Sequence, residues 1–237
     1  MRMVAGASNL NYLQFLKSIV DNRLYYGTLN LPEVIHTVDS VDTLCSIIYP
    51  TNILQTASNN HNAFKVRFIF SHTNDTVREF NERLIHTMPG ELHEFISINS
   101  VDLNDDAAEA EPLPAVYLQS IDLPSLPLAI LQLKVGAPII LLRNICPKEG
   151  LCNGTRLRIL ALGRNCIRGA ILGGDWNGQV RLLPRIKLTS NEEDLPFILT
   201  RKQFPIKLCF AITVNKSQGQ LLQHVGVNLR TNAFTHG

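Results

Sequence analysis

Thr213, Asn215, Lys216, Ser217 and Gln218 gather two hydroxyls, two amides and a cation within one short stretch of chain. Such groups donate well to phosphate and sugar oxygens and carry no code for base edges, so their chemistry is a sequence-neutral grip on a nucleic-acid backbone. The preceding run, 208–214, is apolar apart from Thr213, which suits a central strand buried on both faces. The polar cluster then falls at the carboxyl end of a buried strand, where open α/β sheets bind ligands. Ser217 and Gln220 have the S-x-x-Q spacing of a capping box, which predicts a helix starting at Ser217 with its partly positive end aimed at the same place. Such an end suits a phosphate. The same residues also fit an ordinary strand-to-helix turn, with Ser217 as cap, Lys216 solvated and Thr213 paired within the sheet. Lys216-Ser217 does not close a phosphate-binding loop, because Phe210 and Asn215 stand where G-x-x-x-x-G-K-[ST] needs glycines.

The elements that must position this cluster are readable along the chain. A helix capped by Ser8 carries Leu10, Leu13, Leu16, Ile19 and Val20 on one face and ends near Asn22. A second, capped by Ser40, carries Val41, Leu44, Cys45 and Ile48 and stops before Pro50. Residues 65–70 read as a strand, followed by the polar loop Ser71-His72-Thr73-Asn74. The next helix has Val77, Phe80, Leu84 and Met88 on one face and ends at Pro89-Gly90. Thr73 or Asn74 can cap it, and His72 reads as a loop residue with no catalytic partner at a recognisable spacing. Residues 101–127, acidic and then proline-rich, form a solvated crossing. Beyond 128, short apolar runs at 137–142, 155–162, 166–172 and 179–183 alternate with turn signals such as Asn153-Gly154 and Asn177-Gly178. That texture predicts a small all-β barrel.

With 237 residues, 45% of them apolar and 18% charged, the chain can bury one good core or two smaller ones. The net charge of +2 hides a segregation. Between 128 and 187 stand ten basic residues (Lys134, Arg143, Lys148, Arg156, Arg158, Arg164, Arg168, Arg181, Arg185 and Lys187) against Glu149 and Asp175. Residues 91–111 carry seven acids and no Lys or Arg. The ten cations suit either a DNA-facing surface or scattered solvated charge. Five cysteines without paired C-x-x-C spacing support neither a disulfide framework nor a zinc site, and no other metal site is read. No apolar run reaches bilayer length and no signal peptide is evident, so the expected protein is intracellular and soluble, without a membrane partner.

Phe210–Gln220 also resembles the A-x-T-[IV]-x-K-S-Q-G segment of superfamily-one DNA helicases of the Pif and RecD type, 5′-to-3′ enzymes, particularly their Helitron-transposon branch. The likeness continues in the family's order through L-K-V-G-A-P-I-I-L-L-R-N (133–144), G-L-C-N-G-T-R-L (150–157), L-P-R-I (183–186) and R-K-Q-F-P-I (201–206). Residues 95–100 take the place of Y-x-S-x-D-S, with Phe95 for the tyrosine and Asn99 for the aspartate.

This resemblance implies an α/β fold: the second RecA-like (P-loop NTPase-type) motor domain, incomplete, with an inserted SH3-like barrel. Residues 1–60 would be a helical lead-in, and 61–127 the first part of that domain with the acidic crossing. Residues 128–203 would be the barrel, and 204–237 the return to the sheet. Thr213, Asn215, Lys216, Ser217 and Gln218 would hold the phosphates and sugars of single-stranded DNA, and Thr73 and Asn74 would lie near the same strand. Gly219 and Gln220, at the helix start, would report on the nucleotide's terminal phosphate. Arg2 is either the remnant of an N-M-R segment that reaches that phosphate or a chance terminal arginine. ATP and Mg²⁺ belong to the complete family enzyme, whose first RecA-like domain would precede Met1 and whose final arginine motif would follow Gly237. The chain is expected to have no catalytic residue and to bind neither alone, since Asp105-Asp106 and Glu192-Glu193-Asp194 do not end buried strands. Two function classes stay open: a C-terminal fragment of an ATP-dependent DNA helicase, or a stand-alone single-stranded nucleic-acid-binding module without ATPase activity. A scaffold built on the barrel fits the fold alone. The resemblance further implies a nuclear or mitochondrial location and roles in repair, recombination and telomere maintenance.

Overall fold

The computed structural model describes residues 14–17, 31–32, 35–60, 62–102, 113–191, 193–214 and 223–230. The chain divides into two compact units, Met1–Thr43 and Leu44–Gly237. In the first, residues 14–17 are helical, and Ser40 Oγ accepts from the Asp42 N–H at 3.2 Å. Ser40 is thus the expected cap of α1 (Val41–Ile48).

The second unit is α/β. After α1 come α2 (Thr51–Thr56), β1 (Arg67–Ser71) and the long helix α3 (Asn74–Thr87). Then follow β2 (His93–Ile96), β3 (Ile98–Asp102), α4 (Ala115–Ser120) and β4 (Ile130–Leu133). β5 (Pro138–Leu141), β6 (Arg156–Leu162), β7 (Cys166–Ile171) and β8 (Val180–Pro184) succeed one another across turns. β9 (Ile186–Thr189), β10 (Ile198–Gln203), β11 (Ile206–Leu208), β12 (Ala211–Thr213) and β13 (His224–Val227) complete the order.

A parallel sheet ordered β12-β1-β13 carries α3 on one side, through the buried Val77, Phe80, Asn81, Leu84 and Ile85. Phe68, Phe70 and Ile212 pack together with Cys209 and with Ile140 of β5. That contact sets an antiparallel sheet, β11-β5-β6-β7-β8, against the parallel one. Two further antiparallel sheets, β3-β10-β9 and β2-β4, join residues before and after 128. Among the described residues no helix is long and apolar enough to cross a membrane.

The strand expected over 208–214 is two strands. Leu208 ends β11 opposite Ile139, whereas Ala211 opens β12 opposite Ile69. The buried Cys209 and Phe210 make the step between sheets: the Cys209 N–H donates to Pro138 O at 2.9 Å, and Phe210 O accepts from the Ile69 N–H at 3.2 Å. Cys209 to Ile212 are buried across the step while Leu208 and Thr213 are half-buried and Val214 is exposed, and hydrophobic patterning does not register the change of sheet. β1 is the central strand of the parallel sheet, with β12 at its side.

Helices α1 to α4 each end against a cation from elsewhere in the chain. Arg67 donates to Ile48 O at 2.9 Å, Arg158 to Ala57 O at 3.0 Å, Lys134 to Met88 O at 2.6 Å, and Arg201 to Leu118 O at 2.7 Å. The last carbonyls of a helix lack intrahelical partners and carry a partial negative charge, which these groups meet. Lys134, Arg158 and Arg201 are buried, so much of the basic character of the β-rich segment is structural.

Candidate nucleic-acid interface

The candidate interface is built by two strand ends lying side by side. β1 and β12 run parallel with Ser71 opposite Thr213, so both chains leave the sheet at the same edge. From Ser71 the chain passes through His72 and Thr73 into α3. Thr73 is the N-cap of that helix: its Oγ1 accepts from the Thr76 N–H at 3.3 Å and lies 2.7 Å from Thr76 Oγ1. Asn74 is the first helical residue and is exposed. The amino end of a helix of 14 residues therefore opens beside Thr213.

β12 is held from below by Asn81 of α3. Its Oδ1 accepts from the Phe210 and Ala211 N–H groups at 2.9 and 3.0 Å, and its Nδ2 donates to Ala211 O at 3.2 Å. Tyr49 adds a second fixing point, its hydroxyl donating to Phe210 O at 2.6 Å. Burial raises the Tyr49 pKa, so that hydroxyl stays a donor. Sequence reasoning passed over both residues. Asn81 falls on the same helical face as Val77 and Leu84, and a polar residue in an apolar stripe is the signal that could have found it.

A cavity of about 1000 Å³ opens at this sheet edge. His72, Thr73, Asn74, Arg78, Asn81, Gln132, Lys207 and Thr213, with the carboxylates Asp75, Glu82 and Asp122, supply its polar wall, and leucines such as Leu126, Leu131 and Leu142 supply apolar wall. Arg78 is engaged with Asp122 in an ion pair on the rim. His72 Nδ1 is buried and has no hydrogen-bond partner among the described residues, a further polar atom that sequence reading left as a loop feature. Within this mixed wall, Thr73, Asn74 and Thr213 offer neutral donors beside a helix amino terminus, which suit backbone oxygens more than base edges.

Of the residues expected to touch DNA, Thr73, Asn74 and Thr213 are brought together on this cavity. Asn215, Lys216, Ser217 and Gln218 follow Thr213 directly but lie outside the described residues, as do Gly219, Gln220 and Arg2.

Residues 116–162 match the family described as DNA helicase Pif1, 2B domain. The human ATP-dependent DNA helicase PIF1 is 27% identical over 167 residues, covering 65% of this chain and 22% of that protein. Over these residues the chain is similar to the Pif1 DNA helicases. Mouse PIF1 is 29% identical over 167 residues, covering the same 65% and 22%. The match thus spans 22% of the length of these Pif1 relatives. The crystal structure of the Candida albicans Pif1 helicase has the same fold at a TM-score of 0.57 and 19% identity, over 95% of this chain and 49% of that one.

Proposed function

We propose that this chain is the part of a Pif1-type ATP-dependent DNA helicase that grips single-stranded DNA during 5′-to-3′ translocation and duplex unwinding. One observation carries the reading: the Ser71 to Thr213 register sets the Thr73-Asn74 turn and the start of the 213–218 segment at one sheet edge, over a shared cavity. Thr73, Asn74, Thr213, Asn215, Lys216, Ser217 and Gln218 then hold phosphates and sugars along one strand. In this reading residues 61–127 and 204–237 form the second RecA-like domain, 128–203 an inserted SH3-like barrel, and 1–60 the helical lead-in. The first RecA-like domain is its partner in the complete motor.

The described residues do not fit ATP or Mg²⁺ by themselves. The sequence contains no G-x-x-x-x-G-K-[ST], and among the described residues no group of three or more His, Cys, Asp or Glu could hold a metal ion. Gly219, Gln220 and Arg2 are proposed only to face a nucleotide held elsewhere, and no hydrolytic step is assigned to this chain.

The test is fluorescence anisotropy with two unrelated single-stranded oligonucleotides over a salt series, for the wild-type chain and Lys216→Ala. A phosphate contact weakens both complexes about equally and lowers the magnitude of the salt slope by about 0.7. Unchanged affinity and slope in a folded variant would remove Lys216 from the grip. Loss for one sequence alone would replace backbone contact with base reading.

A further inference from the structure

The fold puts the basic residues between 128 and 187 to different uses. Lys134 and Arg158 cap helix ends. Arg143 donates to Ser125 O at 2.9 Å, and Arg156 donates to Phe64 O at 3.0 Å with its guanidinium 3.6 Å from the Phe68 ring centre. These four serve packing, and so does Arg185, whose Nη1 donates to Ile96 O at 2.7 Å and whose guanidinium stands 5.0 Å from the Phe204 and 5.7 Å from the Phe95 ring centre.

Arg164 and Lys187 form a second group with Lys202. Arg185 Nε donates to Arg164 O at 3.1 Å, which brings the β6–β7 turn against the start of β9. Burial, and after it the Arg164 charge, lower the pKa of Arg185, so these two cations stand close together. Lys187 lies two residues further along the chain, within β9. It stands directly opposite Lys202 in the β9–β10 register, and the other neighbour of Lys202, across β10, is Ile98. Arg164, Lys187, Lys202 and Ile98 are all exposed. No ion pair among the described residues involves any of these three cations. Like charges directly opposite one another destabilise a sheet, and nothing in the fold requires a lysine at both positions. Adjacent cations on a β surface, without an ion-pair partner among the described residues, fit a polyanion.

We propose that Lys187 and Lys202, with Arg164 beside them, form a second nucleic-acid contact, which takes the phosphate backbone of duplex DNA on the exposed face of β9 and β10. This surface goes beyond the grip at Thr73 and Thr213 and shares no residue with it. A duplex suits it better than a single strand, because it holds phosphates at fixed spacing and the cations sit on paired strands.

The experiment measures binding of a fluorescent 20-base-pair duplex and of its single strand to the full chain over a salt series. The variants are Lys187→Gln/Lys202→Gln, the remote control Lys148→Gln, and Lys216→Ala. The expected result for the double variant is at least a tenfold loss of duplex affinity and a fall of about 1.8 in the salt slope, about 0.9 for each phosphate no longer neutralised. Lys148→Gln, which removes an exposed charge elsewhere, leaves the slope unchanged. Removing a like-charge pair leaves Tm equal or higher, so a loss of binding is not a loss of folding. Unchanged duplex binding in the double variant overturns the inference, and so does an equal loss per charge with Lys148→Gln, which marks diffuse attraction. Competition by a poly-glutamate peptide as effective as unlabelled duplex at matched charge assigns the face to acidic protein and also overturns it. If Lys216→Ala abolishes single-strand binding and the lysine pair is silent, the grip stands and this inference falls. The converse result removes the grip and leaves the duplex face.

Discussion

Arg201 Nε donates to Asn99 Oδ1 at 2.9 Å, and this amide is the guanidinium's side-chain acceptor. The other acceptors are the carbonyls of Pro127, Leu118 and Ile121, at 2.9, 2.7 and 3.1 Å. Arg201 is completely buried, so its hydrogen bonds are met while its charge has no carboxylate within the network. Burial accordingly lowers its pKa. The position of Asn99 is the one at which the resembling helicases carry aspartate.

Asn99→Asp should therefore stabilise the fold, by about 1–2 kcal/mol at neutral pH, as a neutral acceptor becomes a charged one. The new carboxyl, held by Arg201, would titrate below its unfolded value of about 3.9. Its contribution is present above that value and is lost as pH falls through the folded pKa. Urea unfolding of both proteins from pH 7 to pH 3 checks this. The expected curves separate at pH 7 and converge in acid. A variant less stable at pH 7 would mean that desolvation of the carboxylate outweighs its attraction to Arg201.

Asn81 offers a second measurement. Replacing it with leucine leaves the Phe210 and Ala211 N–H groups and the Ala211 carbonyl without their side-chain partner, a loss of about 2–3 kcal/mol. Single-stranded DNA affinity should fall as well, because β12 ends at Thr213. Asn81→Leu with wild-type stability and affinity would show that β12 holds its position without this side chain.

Local patterning carried much of the fold. The Ser40 cap, the apolar stripe of α3 and the turns around β5 to β8 follow from spacing that each segment contains within itself. Gly136 of the L-K-V-G-A-P run has φ +91°, and a Cβ there would stand 2.9 Å from Ser58 N, so the glycine answers a steric need. Relations between distant segments were not visible. The break of 208–214 into β11 and β12 depends on which sheet each half meets. The use of Lys134 and Arg158 as helix caps depends on carbonyls 46 and 101 residues away. Of the site, hydroxyl and amide chemistry at Thr73 and Thr213 could be read from sequence, but their meeting on one cavity needs the parallel register of β1 with β12.

The purified chain should turn over no ATP above background, with or without single-stranded DNA. Phosphoryl transfer needs a cradle for the phosphates and an acidic residue for the metal, and the sequence has no G-x-x-x-x-G-K-[ST] to form the first. A coupled phosphate-release assay checks this, with Lys216→Ala as control. DNA-stimulated turnover that Lys216→Ala abolishes would require a nucleotide site built from other residues.

Thr73 separates the two roles that its position allows, helix cap and strand contact. As a cap it accepts from the Thr76 N–H, and Thr73→Ala should cost about 1 kcal/mol of stability. Thr73→Asp keeps the acceptor and adds negative charge at a helix amino terminus, where it is favourable, so Tm should hold or rise slightly. The same charge faces the cavity, and against a bound phosphate it is repelled. Two unit charges 4 Å apart interact by about 4 kcal/mol at an effective dielectric of 20. Water and salt reduce that figure at an open site, and a loss of about tenfold in single-strand affinity, near 1.4 kcal/mol, is the expected remainder. Thermal unfolding and anisotropy on the same preparations give both readings. Thr73→Asp with wild-type Tm and weakened binding places a phosphate beside Thr73. Wild-type Tm with wild-type affinity at low salt reduces Thr73 to a cap and moves the strand's path away from the amino end of α3.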